Sequence, residues 1–187
     1  MAAVLKEADA LKAEGNALFG AGDFEAAASK YSDALEAAAE CAGPGGPAMA
    51  SARATYLANR GAARLQVGEN AGARDDCSAS LALAPGRPKV LMRRARACER
   101  LEEWDQAHAD AEAALACEGW GDDKEAQAMV RRVKPKADAA REKLKEETME
   151  QLKGLGNSVL GMFGLSLDNF SAEKDPSTGS YNIQFQQ

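Results

Sequence analysis

The sequence predicts an all-α fold of three helix-turn-helix repeats, followed by a capping helix and a mostly irregular C-terminal tail. Hydrophobic residues make up 45% of the 187 residues and aromatic residues only 5%, so alanine supplies much of the apolar fraction. This composition favours closely packed helices over a sheet. Small residues recur with a period of 34 residues, and helix-breaking residues lie where such repeats need their turns.

The repeat becomes visible when Gly15, Gly61 and Ala95 are aligned. The residues that follow at common offsets are Ala27, Ala73 and Ala107, then Tyr31, Cys77 and Ala111, then Ala34, Ser80 and Ala114. The second and third copies are 34 residues apart and the first and second 46 apart, which indicates a 12-residue insertion. A Gly/Pro-rich run near 42–53 accounts for it. The expected repeat units are 8–41, 54–87 and 88–121.

A turn is expected to divide each unit into a first and a second helix. The turns are Gly20 to Asp23 in the first unit, Gly68 to Asn70 in the second and Glu102 to Asp105 in the third. Pro85 and Gly86 stop the second helix of the second unit, because proline and glycine both interrupt a helix. Small residues at the aligned positions let the two helices of each unit approach closely.

Beyond the repeats, an apolar stripe with helical spacing predicts a capping or extended helix over 122–153. The stripe consists of Met129, Val130, Val133, Ala137, Ala140, Leu144 and Leu152. Pro135 predicts a kink or break near 131–134. The tail, 154–187, is apolar and contains glycine, and it ends in alternating Tyr, Ile and Phe residues. We expect the protein's own surface, a partner or a second copy to cover it.

The charges separate by helix, although the net charge of the chain is −6. The first helices of units two and three carry Arg53, Arg60, Arg64, Lys89, Arg93, Arg94, Arg96 and Arg100, and the second helices carry Asp75, Asp76, Asp105, Asp110 and Glu112. This pattern predicts a basic inner wall and an acidic outer wall. Nucleic acid is not the expected ligand, because the chain is acidic overall and its basic residues are not interleaved with aromatic residues.

Several function classes lack support in the sequence. The four cysteines, at 41, 77, 98 and 117, have no metal or redox spacing, and His108 is expected to be an exposed helical residue. No nucleophile arrangement is present, so we expect no enzyme, cofactor or metal site. No apolar run is as long as the about 18 residues that a membrane-spanning helix needs. The acidic N terminus does not resemble a signal peptide. The expected location is the cytoplasm.

The small residue of each first helix (Gly15, Gly61 and Ala95), the alanine that begins each second helix and the proline at the join resemble the tetratricopeptide repeat (TPR) family. Arg64 and Gly119 depart from the pattern, at positions where the family has an aromatic residue and a proline. The resemblance implies a right-handed superhelix whose first helices line a concave groove. The tail is similar to that of cytosolic, chaperone-binding adaptors within the family.

Five residues, Lys12, Asn16, Asn59, Lys89 and Arg93, match one for one the two-carboxylate clamp of chaperone-binding members of this family. The resemblance implies a non-enzymatic co-chaperone adaptor that binds the C-terminal Glu-Glu-Val-Asp of Hsp70- and Hsp90-type chaperones. It assigns the chain-end carboxylate to Lys12, Asn16 and Asn59, the Asp side chain to Lys89, and bonds along the peptide to Arg93. Phe19, Ala62 and Met92 are expected to offer apolar contacts to the peptide valine.

Two neighbours of the clamp, Arg60 and Arg94, are expected to face elsewhere on their helices and not to bind the peptide. An alternative function is a general protein–protein interaction scaffold, whose groove or C-terminal tail binds a different partner or the chain itself. The tail could also recruit an additional protein partner in an adaptor whose groove binds chaperones.

Overall fold

The computed structural model describes residues 2–39, 46–167, 170–174 and 181–185. The helices are α1 (Ala2–Ala21), α2 (Phe24–Ala39), α3 (Pro47–Val67), α4 (Asn70–Leu83), α5 (Pro88–Arg100), α6 (Trp104–Leu115) and α7 (Lys124–Gly161), and the strands are β1 (Phe170–Lys174) and β2 (Tyr181–Phe185). The chain divides into two compact units, Met1–Ala137 and Asp138–Gln187. The prediction of an all-α repeat fold is confirmed for the first unit.

Each helix from α1 to α6 packs against the next, and the first helices of successive repeats, α1, α3 and α5, also contact one another. The turns lie where the sequence predicts them. Gly68 ends α3 with φ +84°, a left-handed conformation that a residue without a β-carbon adopts at little cost, and its N–H bonds to the carbonyl of Arg64. Pro88 occupies the first turn of α5, where its missing N–H costs nothing.

Residues 16 positions apart face each other across the two helices of a repeat. A β-carbon built on Gly15 would lie 2.7 Å from Cε1 of Tyr31, and one on Gly61 would lie 3.1 Å from Sγ of Cys77. Both facing side chains are buried. A larger residue on the second helix therefore fills the space that glycine leaves on the first, which explains the small residues at these aligned positions.

The same spacing of 16 residues joins oppositely charged side chains. Arg60 donates two hydrogen bonds to Asp76, over 2.9 and 2.7 Å, and Arg94 donates two to Asp110, over 2.8 and 2.7 Å. Both aspartates are buried, with exposed fractions of 4% and 2%. In the first repeat the polarity is reversed, because Lys30 pairs with Glu14 over 2.9 Å.

These pairs correct the prediction of a uniformly basic inner wall. Arg60, Arg64 and Arg94 turn toward carboxylates on the second helices of their own repeats, Arg64 reaching Asp76 over 2.8 Å. Their charge is therefore compensated between the helices of a repeat. The expectation that Arg60 and Arg94 face away from the clamp residues agrees with these contacts.

The first part of α7 caps the third repeat. Ala126, Met129 and Val133 are buried in one cluster with residues of α5 and α6. Arg132 adds an ion pair to Glu99 on α5, with an Nε to Oε1 distance of 2.6 Å. The helix continues through Pro135, so the expected break is wrong. The packing of flanking residues outweighs the one backbone hydrogen bond that proline removes.

The second unit corrects the expected end of α7 and the expected mostly irregular tail. The helix runs to Gly161 rather than 153, and every side chain from 138 to 155 is exposed, so the apolar stripe continues into solvent after Ala137. The segment that follows folds back, with Leu167 donating its N–H to Oδ1 of Asn157 over 2.6 Å. Strands β1 and β2 pair antiparallel with Phe170 opposite Phe185, as alternating residues favour.

Two further expectations change. Residues 42–45 of the Gly/Pro insertion lie outside the described residues, and 47–53 form the first turns of α3 because Pro47 suits a helix start. His108 is buried rather than exposed, since it shares the inward face of α6 with Ala111. Its Nδ1 lies 3.6 Å from Oε2 of Glu112. Cys77, Cys98 and Cys117 are free cysteines, and Cys41 lies outside the described residues.

Candidate peptide-binding groove

A cavity of about 240 Å³ opens on the face formed by α1, α3 and α5. It is lined by Asn16, Phe19, Gly20, Tyr31, Asn59, Ala62 and Arg93. Three of the five predicted clamp residues, one from each first helix, therefore surround the same space. The predicted apolar contacts Phe19 and Ala62 belong to the same lining. Repeat stacking brings these residues together, because it places the first helices side by side.

The two asparagines are linked by hydrogen bonds. Oδ1 of Asn16 accepts a bond from the hydroxyl of Tyr31 over 2.8 Å and one from Nδ2 of Asn59 over 3.2 Å. Both bonds use the oxygen of Asn16, so its amide nitrogen is the atom that it offers to an acceptor. Tyr31 is buried, with an exposed fraction of 2%, and therefore holds this orientation from behind.

Arg93 is half-buried between α3 and α5, and its Nη1 donates to the carbonyl oxygen of Ala58 over 2.9 Å. Burial lowers the pKa of Arg93, and the nearby cations Arg87 and Arg96 lower it further. An arginine stays charged in proteins even so. A guanidinium that has lost part of its hydration gains most from an anionic ligand, which makes Arg93 a strong candidate for carboxylate binding.

A second cavity, of about 200 Å³, shares Arg93 with the first. Its lining is Lys89, Met92, Arg93, Arg96, Trp120, Asp123 and Glu125. Lys89 and Met92, one predicted for the clamp and one for apolar contact, thus lie beside Arg93 on α5. Arg96 is paired with Glu125 across the cavity, with Nε 2.9 Å from Oε1. We refer to these two cavities, which share Arg93 in their linings, as the groove.

Lys12 is the fifth predicted clamp residue, and it lies one turn before Asn16 on α1. It belongs to the lining of neither cavity described above. Its Nζ bonds to Oδ1 of Asp9 over 2.8 Å and lies 6.0 Å from the centre of the Tyr56 ring. Four of the five predicted clamp residues therefore line these two cavities, whereas Lys12 lies one turn away and is paired with an acid of its own helix.

Comparison with known proteins agrees with this architecture. No family model matches the sequence. The first TPR domain of Spaghetti (RPAP3), solved with the HSP90 peptide SRMEEVD, aligns with a TM-score of 0.56 and 26% identity, over 70% of this chain and 92% of that one. The second TPR domain of human RPAP3, in complex with the HSP70 peptide SGPTIEEVD, gives 0.58 and 26%, over 69% and 96%. The chain contains a tetratricopeptide repeat domain.

This TPR domain also has curated sequence relatives. Human sperm-associated antigen 1 is 41% identical over 100 residues, which are 54% of this chain but 10% of that protein. The match therefore spans about a tenth of the length of this relative.

Three residues that line the cavities or contact a predicted clamp residue are not identified by the sequence pattern. Tyr31 aligns with the small residues Cys77 and Ala111 at a packing position, although its aromatic hydroxyl distinguishes it from them. Asp9 stands three residues before Lys12, a spacing that places both on one helix face. Trp120 left no usable signal, because it reaches the second cavity from the loop between α6 and α7.

The described residues were also compared with what a metal site and a membrane-spanning helix require. In the described part of the chain, no three His, Cys, Asp or Glu side chains come together as a metal site would need. Among the same residues, no helix is long and apolar enough to cross a membrane.

Proposed function

We propose that this TPR domain is a non-enzymatic co-chaperone adaptor that binds the C-terminal Glu-Glu-Val-Asp of Hsp70- and Hsp90-type chaperones. The observation that carries the proposal is the meeting of Asn16, Asn59 and Arg93 around one cavity, with Lys89 adjacent. The RPAP3 domains solved with HSP90 and HSP70 peptides support it, since they share this fold at 26% identity. The proposal includes the cytoplasmic location expected from the sequence.

The chemistry of the terminal aspartate suits the groove. It presents two carboxylates, one from the side chain and one from the chain end. In our proposal the amides of Asn16 and Asn59, together with Lys12, bind the chain-end carboxylate, and Lys89 binds the side chain. Hydrogen bonds between charged groups contribute about 1.5–3 kcal/mol each, so a few of them suffice for micromolar affinity.

Arg93 occupies the junction of the two cavities and is proposed to bond along the peptide. Phe19 and Ala62 line the first cavity and Met92 the second, so the peptide valine has apolar surface on both sides. An internal aspartate lacks the chain-end carboxylate, and the groove therefore distinguishes a C terminus from an acidic loop.

A titration with a fluorescent peptide ending in Glu-Glu-Val-Asp tests the proposal. We expect micromolar affinity, about −8 kcal/mol, that weakens as the salt concentration rises. The same peptide with an amidated C terminus should bind far more weakly, because it loses one carboxylate. Equal affinity for the free and amidated peptides would contradict the clamp.

The alternative, a scaffold that binds another partner or itself, is favoured by one observation. Large apolar side chains are exposed along the second half of α7 and just after it, at Leu144, Met149, Leu152, Leu155, Val159, Met162 and Phe163. Exposed apolar surface of this kind is typical of interaction sites. Sedimentation of the full chain and of a Leu155→Ser, Met162→Ser double variant tests whether this surface mediates self-association. Self-association that is lost in the variant supports the scaffold function. A monomer in both cases argues against self-binding.

A further inference from the structure

We infer that Asp9 is a built-in competitor for the carboxylate of the bound peptide, and that it limits the affinity of the groove by holding Lys12. The inference rests on the proposed function, because it concerns the same clamp. Asp9 is not one of the five clamp positions, and it would change peptide affinity only through its contact with Lys12.

Asp9 forms an ion pair with Lys12 and accepts a hydrogen bond from Tyr56. Nζ of Lys12 lies 2.8 Å from Oδ1 of Asp9, and the hydroxyl of Tyr56 donates to the same oxygen over 3.0 Å. Tyr56 belongs to α3 and is fully buried, with an exposed fraction of 0%. The carboxylate is therefore tied to a neighbouring helix and cannot turn freely into solvent, as most surface acids on a helix can.

The charge state of the cluster supports the same conclusion. The hydrogen bond from Lys12 lowers the pKa of Asp9 below its ordinary value, so Asp9 is ionised at neutral pH. Burial and then the Asp9 carboxylate raise the pKa of Tyr56 to about 12, so the hydroxyl keeps its proton and donates a hydrogen bond to Asp9. The cluster thus contains a fixed negative charge next to the first cation of the clamp.

A peptide carboxylate that reaches Lys12 must share the ammonium group with Asp9. Both side chains are partly exposed, at 28% for Lys12 and 47% for Asp9, so solvent screens part of the repulsion between the two carboxylates. The effect on affinity is consequently moderate rather than prohibitive. Asp9 would weaken binding of every ligand that uses Lys12, and of no ligand that does not.

Asp9→Asn tests this role in the full chain. The amide oxygen of asparagine still accepts bonds from Lys12 and Tyr56, but the negative charge is gone. Asp9→Glu retains the charge, and Glu25→Gln makes the same charge change at an exposed position in the first turn of α2. Circular dichroism and thermal melting verify that the variants are folded. The probes are the peptide ending in Glu-Glu-Val-Asp and its amidated form.

We expect Asp9→Asn to tighten binding of the free-acid peptide about two- to fivefold and to steepen its salt dependence. Binding of the amidated peptide should stay unchanged, and Asp9→Glu and Glu25→Gln should resemble wild type. A purely structural role for Asp9 would instead weaken both peptides together.

Unchanged or weaker binding of the free-acid peptide to Asp9→Asn overturns the inference, while a wild type that prefers the free acid keeps the proposed function. A wild type that does not distinguish the free acid from the amide overturns both.

Discussion

Gly15 on α1 and Tyr31 on α2 are in such close contact that a β-carbon on Gly15 would lie 2.7 Å from Cε1 of the ring. The hydroxyl of the same ring, on the carbon next to Cε1, donates to Oδ1 of Asn16 over 2.8 Å. One side chain therefore packs the first repeat and orients a proposed ligand of the peptide. We therefore expect the stability of the repeat and the peptide affinity of the groove to be coupled through Tyr31.

Replacing Gly15 by alanine should lower both the free energy of unfolding and the peptide affinity. The added methyl group pushes the Tyr31 ring away and with it the hydroxyl that holds Asn16. Overpacking of a core costs about 1–3 kcal/mol, which urea denaturation measures, and peptide titration should show weaker binding. Gly154→Ala in α7 is the control, because a β-carbon there meets nothing within 4 Å. A Gly15→Ala protein with wild-type stability and affinity would argue against the coupling.

Reversing the charge of Lys89 should abolish peptide binding without unfolding the domain. Lys89 is exposed at the start of α5, so Lys89→Glu should change the free energy of unfolding by less than about 0.5 kcal/mol. A glutamate at this position repels the side-chain carboxylate of the peptide. Lys153→Glu, an equal change on the exposed part of α7, serves as the control for net charge. Retained binding by Lys89→Glu would remove Lys89 from the site.

The ion pairs between the helices of each repeat should differ in their contribution to stability. Arg94→Ala leaves the carboxylate of Asp110 buried without its bidentate partner, which we expect to cost about 3–5 kcal/mol. Lys30→Ala removes the corresponding cation of the first repeat, where Lys30 and Glu14 are 36% and 57% exposed, so solvent screens the pair and the loss of stability should be much smaller. Urea denaturation of the two variants under the same conditions makes the comparison, and equal losses would contradict it.

Stability should decline in alkaline solution. Burial raises the pKa of Cys77 from 9.0 to about 12, and burial together with the bond to Asp9 raises the pKa of Tyr56 from 10.0 to about 12. Because these pKa values are higher in the folded state, their contribution is complete below pH 9 and is lost as the pH rises toward 12. Urea denaturation from pH 7 to 11 measures the decline. Tyr56→Phe removes one titrating group, so its stability should fall less steeply; an identical slope would exclude Tyr56 as a cause.

Much of the fold follows from the sequence, because small residues at a fixed period allow only a few ways of packing helices. Gly15, Gly61 and Ala95 identify the repeats, and Asn59 and Arg93, which are one 34-residue step apart, line one cavity. The match of all five residues to a carboxylate clamp remains a prediction.

Other features could not be predicted because they depend on which partner a side chain chooses. The sequence predicts that Arg60 and Arg94 face away from the clamp residues, but not that each binds a buried carboxylate of its own repeat. Lys12 looked available, yet it is paired with Asp9. Charge counted along a helix does not reveal these pairings, because the facing helix supplies the opposite charge.

The reversed polarity of the first repeat has a consequence for assembly. Consider two molecules in which α1 of one takes the place of α3 in the other, and α3 takes the place of α1. Glu14 would then face Asp76 instead of Lys30, and Arg60 would face Lys30 instead of Asp76. Identical repeats invite such swaps, which are a common misassembly of repeat arrays. Here like charges would face each other in the exchanged dimer, so the opposite polarity of the ion pairs at this common 16-residue spacing disfavours the exchange.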